Sequence, residues 1–152
     1  MRAVIQRVKN AWITVNGGEK KEMGAGLVVL FGVHEDDFAE DTLNVAQKIA
    51  QLRIFEDSDG KMNISALDLG LDCMVVSQFT LFADTKKGRR PSFIKAARPE
   101  KAIPIYEKFL GEMENMGFNK VVHGEFGADM QINLTNDGPV TIIIDTDEWR
   151  NS

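Results

Sequence analysis

An almost continuous apolar run, AGLVVLFGV, occupies residues 25–33. It is far shorter than the roughly 20 residues that a membrane-spanning helix needs. Its residues are apolar at successive positions, so both faces of an extended segment would be buried, as is typical of a strand inside a sheet. We therefore predict a central strand over Gly26–Val33 and no membrane span.

Shorter patterns on either side of this run complete the expected fold. Further strands are predicted at Met1–Lys9, Trp12–Val15, Ile54–Phe55, Cys73–Phe82, 119–123, 130–135 and 140–145. Helical spacing predicts helices over Asp36–Gln51 and Glu100–Met116, with loops over 61–72 and 83–92. The order predicts a single α+β domain over residues 1–152, with two main helices and a mixed, largely antiparallel sheet curled toward a barrel.

Each predicted helix has one apolar face. The buried positions expected on the first helix are Phe38, Thr42, Val45, Ala46 and Ile49, and those on the second are Ile103, Tyr106, Phe109, Leu110 and Met113. Pro104 is predicted near the first turn of the second helix, where proline is tolerated best.

Composition limits the classes of function. The net charge of −5 argues against nonspecific binding to nucleic acid, although a local basic patch is compatible with it. The single cysteine, Cys73, excludes an internal disulfide and is interpreted as a small buried apolar residue in a reducing compartment. Charges interrupt the N-terminal segment too often for a signal peptide, so a cytoplasmic protein is expected.

The first candidate site is Ser77-Gln78-Phe79-Thr80-Leu81, which follows the apolar segment Cys73-Met74-Val75-Val76. Hydroxyl and amide groups that enter a buried strand need hydrogen-bond partners or a functional role. Alternation along a strand would place Gln78 and Thr80 on one face, and Ser77 and Phe79 on the other. The alternative interpretation is a strand that simply emerges at the edge of the sheet.

Other motifs give no comparable signal. His34 and His123 each follow a predicted strand and are interpreted as surface or hydrogen-bonded residues. Asp57-Ser58-Asp59-Gly60 is interpreted as a turn because the glutamate that ends a calcium-binding loop is missing. No cluster of histidine, cysteine and acidic residues has metal-ligand spacing, so neither a metal nor a cofactor is predicted.

The second candidate site is a basic loop within an acidic chain, the segment Lys86-Lys87-Gly88-Arg89-Arg90-Pro91. Four cations within five residues can position a phosphate backbone. A solvated surface loop is the alternative interpretation.

The third candidate is TNDGPVT at residues 135–141, between two strand patterns. Asp137-Gly138 predicts a hairpin turn. Pro139 has no N–H group for strand pairing, although proline is permitted as the first residue of a strand. By the ordinary preference of X-Pro bonds, Gly138–Pro139 would be trans.

Five motifs in register resemble those of the D-aminoacyl-tRNA deacylase family. They are MRAVIQRV at the start, LRIFEDSDGKMNIS at 52–65, VSQFTLFADTKKGRRPSF at 76–93, FGADM at 126–130 and NDGPVTIIID at 136–145. The similarity extends from Met1 to about Thr146. The chain departs from the family pattern at Leu71-Asp72-Cys73 and in the tail Asp147–Ser152, neither of which touches a motif.

The resemblance implies a homodimeric hydrolase that cleaves the ester between a D-amino acid and the 3′ end of tRNA. It also implies that Gly138–Pro139 is cis and enters the partner subunit's active site, where backbone excludes an L side chain. Arg7, otherwise a surface charge on a strand, is then expected to hold this segment, and Arg7 and Thr141 are both expected to belong to the substrate-binding site.

Family motifs also assign the remaining site residues. Thr80 resembles a proposed nucleophile, with Ser77 and Gln78 beside it, but the sequence shows no base near Thr80. The terminal adenosine's 2′-hydroxyl could instead assist the attack of water. The positions expected to contact adenosine or the aminoacyl group are Phe79, Phe93 and Met130, with core packing as their alternative role. The basic residues Lys86, Lys87, Arg89 and Arg90 are expected to meet tRNA phosphates.

Two other functions fit the same residues. One is a Thr- or Ser-dependent esterase or amidase for small substrates. The other is a noncatalytic RNA- or protein-binding module that uses the basic loop.

Overall fold

The computed structural model describes residues 1–150, so the last two residues of the predicted domain lie outside the described part. Its strands are β1 Arg2–Val15, β2 Lys21–Met23, β3 Gly26–Gly32, β4 Phe55–Glu56, β5 Met62–Ile64, β6 Asp72–Ser77, β7 Val121–His123 and β8 Met130–Asp145. Its helices are α1 Thr42–Ala50, α2 Pro99–Glu114 and α3 Thr146–Arg150. Two single 3₁₀ turns occupy Ala39–Asp41 and Phe79–Phe82. No helix within residues 1–150 is long and apolar enough to cross a membrane.

Six strands form one mixed sheet in the order β2-β1-β3-β6-β7, with β8 on the other edge of β1. β1 is antiparallel to β2, β3 and β8, whereas β3–β6 and β6–β7 are parallel. The Lys21 ammonium donates a hydrogen bond to the His123 carbonyl at 3.0 Å, which joins β2 to β7. The sheet is therefore nearly closed into a barrel, and the predicted α+β class is confirmed.

The two faces of β3 belong to different parts of the core. Leu27, Val29 and Phe31 face a cluster that includes the apolar sides of α1 and α2, where the rings of Phe31 and Phe109 stack with centroids 4.0 Å apart. Val28 and Leu30 face a second cluster without helical residues. Burial on both faces confirms the predicted central strand, since each face is covered by apolar side chains.

β1 is one strand rather than the two that were predicted. The exposed pair Lys9-Asn10 interrupts the alternation of apolar residues, which suggested a break. Lys9 instead occupies a register shift between Val8 and Asn10, where β1 has one more residue than β8. β1 continues through this bulge because β8 runs beside it on both sides of the shift.

The predicted hairpin at residues 130–145 is also wrong. Both halves of β8 pair with β1, as Leu134 lies opposite Ala11 and Ile144 lies opposite Ala3. β1 is long enough to pair with both halves, so the two halves do not fold onto each other. The Asp-Gly sequence forms a bulge in a continuous strand rather than a turn between two strands.

The strand predicted over Cys73–Phe82 ends at Ser77. Its neighbours β3 and β7 end at Gly32 and His123, so a longer strand would have no partner on either side. The chain continues as the 3₁₀ turn Phe79–Phe82, and the facing expected from strand alternation does not apply to Gln78, Phe79 or Thr80.

The predicted helices are confirmed in position but not in every detail. α1 begins at Thr42 rather than Asp36, because the buried Asp37 carboxylate accepts the His34 N–H and holds a loop there. Phe38, predicted on the buried face, is consequently 64% exposed. Pro104 lies in the second turn of α2 rather than the first, which Pro99 occupies.

The remaining corrections concern short segments. β2 was not predicted, and β5 lies in a segment predicted as loop. Strands of three residues are too short to show an alternation. The turn at Asp57 is confirmed, since its carboxylate accepts the backbone N–H groups of Asp59 and Lys61 at 2.9 and 3.0 Å.

Candidate active site

The turn Phe79–Phe82 is set by the end of β6. The Gln78 N–H donates to the Phe31 carbonyl at 2.8 Å, and Gln78 then leaves the strand direction with ψ 84°. The turn closes through the Ala83 N–H, which donates to the Thr80 carbonyl at 3.1 Å. As the first two residues of the turn, Phe79 and Thr80 have backbone N–H groups without an acceptor inside it.

Gln78 and Thr80 lie together at this turn. The Gln78 amide nitrogen donates to the Thr80 hydroxyl at 2.5 Å, and Thr80 is exposed. Within residues 1–150, no histidine or carboxylate is hydrogen-bonded to that hydroxyl. Ser77 lies just before them, at the end of β6 and opposite Phe31. The turn thus presents a hydroxyl without a general base.

Arg2, which the sequence analysis missed, holds the same turn. Its guanidinium donates to the Leu81 carbonyl at 2.7 Å and lies 4.7 Å from the centroid of the Phe82 ring. Its Nε also donates to Asp145 at 2.9 Å. Arg2 and Asp145 lie directly opposite each other in β1 and β8. Their contact could be predicted only if the pairing of those two strands were already known.

An exposed aromatic pair flanks the turn. Phe79 and Phe93 are 51% and 37% exposed, and their rings meet edge to face with centroids 5.3 Å apart. Reciprocal backbone hydrogen bonds between Asp84 and Ser92, at 2.7 and 2.9 Å, bring the two phenylalanines together. Exposed rings in this arrangement offer flat apolar surface to a ligand.

The basic loop extends from the same closed segment. Lys86, Lys87, Arg89 and Arg90 are all exposed, and Gly88 turns the chain with φ 68°. The hydrogen bond from the Lys86 N–H lowers the pKa of Asp84 and fixes the start of the loop. The cations therefore lie in an exposed loop whose two ends are joined by the Asp84–Ser92 hydrogen bonds.

The segment Asp137–Val140 forms a bulge in β8. The register passes from Thr141 opposite Gln6 to Asn136 opposite Val8, so four residues of β8 face Arg7 alone. The Gly138–Pro139 peptide bond is cis, in agreement with the family resemblance and not with the ordinary preference of X-Pro bonds. Gly138 and Pro139 are exposed, so the bulge projects from the strand.

Arg7 is buried beneath this bulge rather than exposed on the surface. It is 5% exposed, and its Nε donates to the Asp137 carbonyl at 3.1 Å. Gly138 has φ 126°, and a Cβ there would lie 3.2 Å from an Arg7 nitrogen and 2.9 Å from a Val140 methyl group. The contacts of Arg7 therefore support the expectation that it holds the Gly138–Pro139 segment.

Thr141 and Met130 lie on opposite sides of the bulge along β8. Thr141 is exposed, and its hydroxyl is hydrogen-bonded to the Gln6 side chain. Met130 pairs with Val15 and packs in the second core cluster, with its sulfur against Gly124. Substrate contact by either residue stays a prediction.

The other chemically active side chains have contacts of their own. His34 and His123 each make a local backbone contact through Nδ1, at 3.1 and 2.7 Å, as expected for satisfied histidines. Burial raises the pKa of the Cys73 thiol, which confirms its interpretation as a buried apolar residue. His34, Glu35 and Asp36 bring ligand atoms within 4.8 Å of one another, a loop cluster that the spacing analysis missed.

The comparisons with known proteins agree with this geometry. The family model D-Tyr-tRNA(Tyr) deacylase matches residues 4–145. A relative named D-aminoacyl-tRNA deacylase from Chloroflexus aurantiacus is 55% identical and covers 99% of this chain and 93% of its own length. A relative of the same name from Thermus aquaticus is 53% identical and covers 97% of each chain.

Solved structures share the fold. A structure described as c-Myc DNA Unwinding Element Binding Protein is 39% identical, with a TM-score of 0.87 over 95% of this chain and 98% of the other. A structure described as a probable eukaryotic D-amino acid tRNA deacylase is 17% identical with a TM-score of 0.82 and covers 95% of this chain and 98% of its own, which shows a common fold. From the family match and these relatives, the chain belongs to the D-Tyr-tRNA(Tyr) deacylase family.

Proposed function

We propose that this protein is a D-aminoacyl-tRNA deacylase. The observation that carries the proposal is a family match over residues 4–145, with relatives of that name at about half identity over nearly their whole length. In the reaction, water adds to the carbonyl carbon of the D-aminoacyl ester, and the bond to the ribose oxygen breaks. The products are a free D-amino acid and tRNA, so the activity belongs in the cytoplasm.

The Phe79–Phe82 turn supplies the reacting centre. Its free N–H groups at Phe79 and Thr80 are suited to stabilise the oxyanion that forms on the carbonyl. Since no residue from 1 to 150 offers a base to the Thr80 hydroxyl, the terminal 2′-hydroxyl of the tRNA assists the water molecule instead. Ser77 and Gln78 hold the turn in place through the end of β6 and the Gln78–Thr80 hydrogen bond.

Binding is divided between aromatic and basic residues. Phe79 and Phe93 stack against the terminal adenosine, a contact that contributes about 1–3 kcal/mol per base in other systems. Met130 and Thr141 border the aminoacyl group. The four cations of the basic loop meet tRNA phosphates, which accounts for a strongly basic segment in an acidic protein.

The cis Gly138–Pro139 bulge acts as the chiral filter. A pocket of side chains discriminates by only about 1–3 kcal/mol per methylene. Rigid backbone placed against the substrate Cα excludes any L side chain by overlap, whereas a D side chain points away. Glycyl-tRNA has no side chain to exclude and is therefore also hydrolysed; its full resistance would refute the steric explanation.

The decisive experiment compares the purified protein on D-tyrosyl-tRNA and L-tyrosyl-tRNA and follows release of the amino acid. Rapid loss of the D ester alone would establish both the reaction and the filter. Cleavage of a simple aryl ester without tRNA would favour the small-molecule esterase. Binding of tRNA without hydrolysis of either ester would favour the noncatalytic module.

The filter completes the active site of a partner subunit in a homodimer. Within residues 1–150 no hydrogen bond joins Gly138 or Pro139 to the Phe79–Phe82 turn, although both segments are exposed. Co-expression of Phe79→Ala with Gly138→Ala subunits tests this arrangement. In a heterodimer, one of the two sites combines a wild-type turn with a wild-type filter. Half of the dimers in a random mixture are heterodimers, so about a quarter of all sites should be wild type. If the mixture is no more selective and active on D-tyrosyl-tRNA than the two variants measured separately, the site is not shared between subunits.

A further inference from the structure

Arg7 connects the bulge to a second element, the short strand β4. One of its terminal nitrogens donates to the Ile54 carbonyl at 2.8 Å and to both Glu56 carboxylate oxygens at 3.0 and 3.1 Å. Its Nε faces the other way and donates to the Asp137 carbonyl at 3.1 Å. A single buried guanidinium thus bridges β4 and the bulge of β8.

A buried guanidinium needs a counter-charge, since desolvation of an unpaired charge is costly. Glu56 provides it through two charge-assisted hydrogen bonds. The Asp137 carboxylate is farther away, with its oxygen 3.5 Å from the Arg7 Nε. It also belongs to the bulge and would move with that segment. Glu56 belongs to β4, which is anchored by the buried Phe55 and by pairing with β5. Its position therefore does not depend on the bulge.

We propose that Glu56 is a positioning residue for chiral discrimination, which it supports by fixing Arg7 against the Asp137–Gly138 backbone. The inference rests on the proposed function of the bulge as the filter. A Cβ on Gly138 would lie 3.2 Å from an Arg7 nitrogen, and the Arg7 Nε donates to the Asp137 carbonyl, so the guanidinium lies directly against the backbone of the proposed filter. Glu56 itself is 49% exposed and acts on the substrate only through Arg7.

Three variants test this role. Glu56→Ala removes both hydrogen bonds and the charge, Glu56→Gln keeps one acceptor oxygen, and Asp59→Asn removes a charge from the adjacent turn as a matched control. Rates on D-tyrosyl-tRNA and L-tyrosyl-tRNA are measured separately. Amide hydrogen exchange over residues 136–141 reports the order of the bulge without reference to activity.

For Glu56→Ala we expect the ratio of D to L rates to fall on the order of 10–100-fold, the scale of a ~1 Å misplacement. Exchange in the bulge should accelerate as well. Glu56→Gln should lie between Glu56→Ala and wild type, and Asp59→Asn should match wild type. If Glu56→Ala does not fold, Glu56→Gln carries the same comparison.

Two results would overturn the proposal. One is an unchanged D to L ratio with unchanged exchange in a folded Glu56 variant. The other is an unchanged D to L ratio with faster exchange, which would leave Glu56 a role in ordering the bulge but none in discrimination. If wild type hydrolyses neither ester, the proposed function fails, and the exchange comparison still decides whether Glu56 orders the bulge.

Discussion

At the scale of single residues, the environment of Thr80 argues against a nucleophilic role. A hydroxyl nucleophile needs an adjacent base, and its neighbour here is the Gln78 amide, which cannot accept a proton at neutral pH. Arg2 and Arg7 are more informative, because each guanidinium fixes a backbone carbonyl at one of the two candidate segments. Positioning of backbone is thus the common role of the charged residues nearest the site.

The first prediction concerns Thr80→Ala. The proposed mechanism assigns the chemistry to backbone N–H groups and the tRNA 2′-hydroxyl, so we expect activity on D-tyrosyl-tRNA to fall by less than about tenfold. Thr85→Ala, an exposed threonine in the next loop, serves as control. The measurement is a single-turnover rate, and a loss above about a thousandfold would restore the nucleophile mechanism.

At the scale of elements, β8 is suited to carry the proposed filter because it is a continuous strand with a local bulge. Pairing on both sides of the bulge anchors Asp137–Val140 to β1, which a free hairpin turn could not do. The same principle applies to the basic loop, whose ends are tied by the Asp84–Ser92 hydrogen bonds. The bulge and the basic loop are therefore both short irregular regions with fixed ends.

Gly138→Ala should disrupt the filter. With φ 126° and a Cβ position 2.9 Å from a Val140 methyl group, the bulge must shift to accept the methyl group. We expect the ratio of D to L rates to fall on the order of tenfold or more. Gly127→Ala also has positive φ but open space around it, so it should lose only stability and keep the ratio. A wild-type ratio in Gly138→Ala would contradict this account.

Neutralising the basic loop should weaken tRNA binding in a salt-dependent way. With Lys86, Lys87, Arg89 and Arg90 changed to glutamine, the slope of log Kd against log salt should shrink by about 0.7–0.9 for each phosphate that the loop no longer neutralises. A variant with Lys20 and Lys120 neutralised, two exposed lysines elsewhere, is the control. An unchanged slope in the loop variant would mean that the loop does not contact phosphates and is a solvated surface loop.

At the scale of the whole molecule, stability should depend on acidic side chains. Backbone hydrogen bonds are the largest cause that lowers the pKa of Glu56, Asp57 and Asp84. For Asp145, burial alone would raise the pKa, but hydrogen bonds from the Asp147 amide and Arg2 lower it overall. A carboxyl with a lowered folded pKa stabilises the native state above its unfolded pKa, and this contribution is lost as the pH falls through the folded value.

The melting temperature should therefore decrease as the pH is lowered from 7 to 3, mainly below about pH 4, where unfolded carboxyls take up protons. Thermal unfolding at a series of pH values measures this effect. Asp57→Asn should flatten the dependence, because an amide does not titrate there. A higher melting temperature at pH 3 than at pH 7 would contradict the predicted loss of stability at low pH.

Elements with local patterns could be predicted from the sequence. The central strand β3, the helix α2, the turn at Asp57 and the burial of Cys73 follow from side-chain periodicity and turn chemistry, which involve residues close in the chain. The candidate site was proposed on different grounds, from the resemblance to family motifs. They brought together residues that composition alone would have assigned to a sheet edge, a surface loop and a hairpin.

How those elements are joined depends on strand pairing between distant parts of the chain. β1 and β8 are far apart in the chain. Because they pair along their whole length, the two strands predicted at the N-terminus are one strand, and the predicted hairpin turn is a bulge. The ends of β3 and β7 decided where β6 stops and the Phe79–Phe82 turn begins. The reason is physical: alternation records which faces are buried, whereas strand length and register depend on partners that no local pattern specifies.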